Sequence, residues 1–82
     1  MEKNCYYVQL HNSREDFYVG QNKREAIKRG KEIALKNSTS CTLVKCVEDE
    51  GDLCTKYIAI LEFPYYLRGC QLDTSDITIN LI

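Results

Sequence analysis

The sequence predicts an α+β domain of two layers, ββαββ in order, with an antiparallel sheet packed on one helix and a further edge strand available at the C-terminus. Three observations lead there. A well-capped amphipathic segment runs from Asn22 to Asn37, and short apolar, β-branched runs flank it on both sides. A chain of 82 residues supports one domain, 1–82, around one hydrophobic core.

Cys5 to Leu10 alternates as a strand, with Tyr6, Val8 and Leu10 on one face and Cys5, Tyr7 and Gln9 on the other. The polar stretch His11 to Asp16 turns the chain into a short second strand, Phe17-Tyr18-Val19. Pairing Leu10 with Phe17 and Val8 with Val19 puts all four side chains on one face. Asn22 is a strong N-cap, and Glu25 three residues later completes a capping-box pattern. Ala26, Ile27, Gly30, Ile33 and Ala34 recur at helical spacing as a buried stripe whose small residues suit close approach to a sheet. Lys36 complements the helix dipole, and Asn37 followed by Ser-Thr-Ser is the stop.

Cys41 to Glu48 and Leu53 to Phe63 have strand composition and are joined by an acidic turn. Asp49-Glu50-Gly51 fits a three-residue loop with Gly51 left-handed, which sets Cys46 opposite Cys54 and Val44 opposite Lys56. A two-residue Glu50-Gly51 turn would instead set Lys45 against Lys56, a like-charge pair, so the three-residue register is expected. Pro64 ends the strand, and Tyr65 to Leu72 reads as a loop with one helical turn. Asp76 to Ile82 alternates, with Ile77, Ile79 and Leu81 on one side, as the edge strand.

Charges nearly cancel, 11 Lys and Arg against 12 Asp and Glu, so no global field draws the chain to nucleic acid or anionic membrane. No apolar stretch has the length of a signal peptide or a membrane span, which leads to the expectation of a cytoplasmic protein with no membrane contact. Five cysteines, an odd number with no secretion signal, are expected to be reduced thiols. A core of this size is marginal, which favours a homodimer.

Neither a metal site nor catalysis is expected. No Cys-x-x-Cys pair exists, Cys41 and Cys46 point to opposite faces of a regular strand, and the single histidine, His11, lies in a distant loop. No nucleophile stands with a base, and no phosphate-cradling glycine loop occurs, so neither an enzyme nor a bound cofactor is implied.

Two charged surfaces are candidates for partner binding. Arg24, Lys28, Lys31 and Leu35 share a strip of the helix opposite its buried stripe, three cations around one exposed leucine. Their acidic neighbours are engaged elsewhere, since Glu25 faces Arg29 and Glu32 faces Lys36 at four-residue spacing. Glu48, Asp49, Glu50 and Asp52 concentrate negative charge at the tip of the second hairpin, suited to a basic groove on a partner. Tyr7 and Tyr18 share the sheet face away from the helix. They serve either as a stacking platform or as cover for a second small core beneath the C-terminal segment or at a dimer interface.

The order hairpin, helix, hairpin, with the opening Lys23-Arg24-Glu25-Ala26-Ile27, resembles small ββαβ modules such as integrase arm-binding and HicB-like antitoxin domains. The resemblance covers about half the chain and no functional motif, and integrase arm domains carry three strands before the helix where this chain has two. It implies no site. The functional expectation is a non-enzymatic protein-binding module, in its sharpest form a stoichiometric inhibitor or adaptor of the type phages and other mobile elements encode. The alternative is a nucleic-acid-binding domain that uses the helix cations.

Overall fold

Asn22 opens the helix by the mechanism its side chain suggests. Its backbone is extended (φ −110°, ψ 127°), its Oδ1 accepts from the Glu25 amide at 3.2 Å, and its carbonyl accepts from Ala26 at 2.9 Å. The computed structural model describes residues 3–49, 51–67 and 71–82. Helix α1, Lys23–Asn37, closes on Ser38, which takes the left-handed conformation (φ 51°) usually left to glycine. Ser38 donates to Leu35 O at 3.2 Å and Thr39 to Ala34 O at 3.1 Å, satisfying carbonyls that the helix end would orphan.

Five strands form one antiparallel sheet in the order β2-β1-β3-β4-β5: β1 Lys3–Leu10, β2 Asp16–Gly20, β3 Cys41–Asp49, β4 Asp52–Glu62 and β5 Thr78–Leu81. The helix carries the chain from β2 over β1 to β3 and roofs one face of the sheet. Its Ala26, Gly30 and Ala34 are buried there, as the apolar spacing requires, against a core that includes Val8, Val19, Leu43 and Leu61. Ile27 and Ile33 flank that stripe half-buried. The fold is therefore the two-layer α+β arrangement expected, with the C-terminal strand at the edge.

Two expected registers are corrected. In the first hairpin Val8 pairs with Phe17 and Tyr7 with Tyr18, followed by a bulge that sets Gly20 opposite Tyr6. Leu10 donates to Glu15 O at 3.2 Å and Glu15 to Ser13 Oγ at 3.2 Å, so the turn closes tighter than the polar run suggests. The slip is two residues, and every side chain keeps its face. In the second hairpin Asp49 pairs with Asp52, Val44 with Tyr57 and Lys45 with Lys56, so the turn has two residues rather than three. Gly51 holds φ at 87°, a left-handed conformation that such a turn requires and glycine adopts without a Cβ clash. This slip is one residue, and it exchanges faces: Tyr57, not Lys56, lies beside Val44. A bulge between Leu43 and Val44 then restores Leu43 opposite Ala59 on the helix side.

The C-terminal segment extends the sheet instead of crossing it. Tyr65–Leu67 forms one 3₁₀ turn, and Thr74–Asp76 forms another, capped by reciprocal Asp73 and Asp76 bonds and packed on α1. β5 then pairs with Ala59 to Glu62, and Ile77 is buried in the core.

The first 3₁₀ turn is pinned by a polar knot. Tyr65 Oη accepts from the Ser40 amide at 2.9 Å and lies 3.3 Å from Thr39 Oγ1, while Ser40 Oγ accepts from the Phe63 amide at 2.9 Å. Ser40 is buried, so its amide needs this partner. Tyr65→Phe keeps the ring against Phe63, 5.1 Å between centroids, but strips the acceptor. Chemical denaturation is expected to show a loss of about 1 kcal/mol.

Candidate interaction surfaces

The helix strip is only partly as expected. Arg24 and Lys28 are exposed, whereas Lys31 is half-buried. Leu35 is half-buried too and packs against the core, so it is not the exposed leucine the helical wheel suggests. α1 lies against the C-terminal turn as well as the sheet, which gives it a second packing partner. The Glu25–Arg29 pair forms at 3.4 Å between exposed side chains. It is the single ion pair among the described residues, so the expected Glu32–Lys36 pair is absent, and Arg24, Lys28 and Lys31 form no ion pair with a described carboxylate.

The acidic tip is described in part. Glu48 and Asp52 are exposed, the Asp49 side chain and all of Glu50 lie outside the described residues, and Glu48 turns onto the sheet face away from the helix. That outer face holds a groove of about 380 Å³, lined by Tyr7, Val44, Cys46, Leu53 and Thr55, with Asp16 and Glu48 among its carboxylates. Successive register partners place Tyr18, Tyr7, Val44 and Tyr57 in one row across four strands. Tyr7 and Tyr18 meet edge-on at 5.4 Å, Val44 is 2% exposed between its neighbours, and Tyr18 and Tyr57 are 52% and 59% exposed. Amphipathic aromatic rings of this kind offer apolar area with a hydrogen-bonding tip.

No family model, curated protein or solved structure matches the chain. The surfaces must therefore speak through their own chemistry. Among the described residues, no lysine or arginine lines the groove, and Asp16 and Glu48 would repel a phosphate backbone. The tyrosine row thus borders a groove that is acidic among the described residues. The C-terminal strand lies at the sheet edge and not over the row, and among the described residues Tyr18 and Tyr57 stay more than half exposed.

The cysteines divide by position. Cys5 and Cys46 are cross-strand neighbours on the outer face, which replaces the expected Cys46–Cys54 juxtaposition; Cys54 pairs with Val47 and is exposed. Cys41 is buried with its Sγ 3.8 Å from Gly30 O. These four are free thiols, and Cys70 lies outside the described residues. His11 Nε2 lies 2.7 Å from Thr42 Oγ1, away from the thiol of Cys54 on the far half of β4. No helix among the described residues is long and apolar enough to cross a membrane.

Sequence reasoning found Tyr7 and Tyr18 by alternation but missed Tyr57 and Val44 as their neighbours. Their only signal was the two-residue turn, whose register brings Tyr57 to the outer face.

Proposed function

We propose that this chain is a non-enzymatic protein-binding module, a stoichiometric inhibitor or adaptor, and that its partner seats on the outer face of the sheet. The carrying observation is the row Tyr18, Tyr7, Val44 and Tyr57, whose end tyrosines are exposed, beside a groove whose described charges are acidic. A binding site of this kind gains its affinity from a few buried aromatic anchors, with the rim charges selecting partner sign. The partner surface expected is apolar at its centre and basic at its edge. The free thiols at Cys5, Cys41, Cys46 and Cys54 support a reducing, cytoplasmic setting.

Exposed Arg24 and Lys28, without an ion pair among the described residues, favour a second reading in which the helix binds nucleic acid. Parallel affinity capture separates the two. On the protein-binding reading, Tyr18→Ser with Tyr57→Ser weakens binding of the captured partner by more than about thirtyfold. Arg24→Glu, Lys28→Glu and Lys31→Glu together leave that binding within a few-fold. Salt-dependent retention on DNA or RNA that vanishes with the helix triple variant and survives the tyrosine pair would reverse the assignment.

A further inference from the structure

The outer edge of β4 is only half paired. β5 covers Ala59 to Glu62, and Ile82 donates to Ile58 O at 3.0 Å, while Asp52 to Tyr57, all exposed, have no strand beside them among the described residues. An open strand edge is a row of unpaired donors and acceptors, a template for strand addition. Two independent features mark this stretch. Leu53, 69% exposed, and Tyr57 both fall within it. Lys56 stands opposite Lys45 in the ladder, and neither has an ion-pair partner among the described residues.

We propose that the chain pairs with a second copy of itself through this edge, β4 antiparallel to β4 about a two-fold axis at Cys54. In that register Cys54 faces Cys54 of the second copy, and Asp52 of each copy stands opposite Lys56 of the other. Two opposite-charge pairs then neutralise the lysine that Lys45 faces within each chain. This pairing, Asp52 to Lys56, lies wholly within the free edge and stops short of the Ile58 carbonyl that Ile82 occupies. Centring on Thr55 would set Asp52 against Ile58 and leave Lys56 uncompensated. A two-fold pairing uses the same patch on both copies, so it closes as a dimer. It leaves the outer-face row free, and its failure would not touch the binding role proposed for that row.

Sedimentation equilibrium of the full chain under reducing conditions tests this. The wild type is expected to dimerise, and Lys56→Asp to raise the dissociation constant by at least about tenfold, because Asp52 then meets Asp at position 56. Within the monomer the same change places an acid opposite Lys45, so the melting temperature of the monomer should not fall. That separates interface loss from misfolding. Asp52→Lys combined with Lys56→Asp restores dimerisation. Oxidation with copper–phenanthroline should give a disulfide-linked dimer that Cys54→Ser abolishes. A chain monomeric at every accessible concentration overturns the proposal, as does a dimer unaffected by Lys56→Asp or a double variant that stays monomeric.

Discussion

Gly30→Val is expected to destabilise the fold by about 3 kcal/mol in urea denaturation, although valine is the better helix former. A Cβ at position 30 would stand 2.7 Å from Leu61 Cδ1 and 3.0 Å from Val8 Cγ1. Leu61 and Val8 are both fully buried at the centre of the core, so neither can retreat without displacing its own neighbours. Gly30→Ala separates the two effects. Helix propensity returns about 1 kcal/mol, and the contact costs about 1–3, for a net loss near 1 kcal/mol. Trimming the obstructing side chain should make the pair non-additive: Gly30→Ala combined with Leu61→Val is expected to cost less than the sum of the single changes. A stabilised Gly30→Ala would mean that helix and sheet do not meet at this point.

Alkaline pH is expected to remove about 2–3 kcal/mol of stability through Cys41 alone. Burial without a cationic neighbour pushes its thiol up to about 11 from a model-compound value of 9.0. Above pH 9 the unfolded chain releases a proton that the folded chain retains, so the unfolded state binds fewer protons and stability falls with pH. The contribution is complete below pH 9 and lost as pH rises through about 11. Tyr65 pulls the other way, because its hydrogen bonds with Ser40 and Thr39 hold its phenol below the usual value. Comparing wild type with Cys41→Ala cancels that effect, since both chains carry Tyr65. Unfolding free energies measured from pH 8 to pH 11 should converge between the two proteins, and parallel curves would contradict the burial of this thiol as a proton-linked group.

The helix was legible because its signals are local. Asn22, the stripe from Ala26 to Ala34 and the stop after Asn37 lie within a few residues of what they control and act as their chemistry suggests, whereas Glu25 turns its carboxylate to Arg29 instead of closing the capping box. The sheet was legible in its elements but not in its registers. The Lys45–Lys56 repulsion that argues for a three-residue turn is worth only about 0.2–1 kcal/mol. Whole-strand packing outweighs it, since the observed register and its bulge bring Leu43 and Ala59 together beneath the helix. The error was costly for the site because one residue of slip changes faces, and with the face went Tyr57. Leu35 was misplaced for a related reason. A helical wheel drawn against one sheet omits the turn at Thr74–Asp76, which also packs on α1.

Site-specific photocrosslinking tests the outer-face assignment most directly. A benzophenone side chain replaces Tyr57 in one protein and Lys28 in another, and each is irradiated in the native host. Position 57 is expected to yield a discrete adduct with a protein partner, and position 28 none. Adducts formed only from position 28, or nucleic acid recovered there with nothing at position 57, would contradict the account.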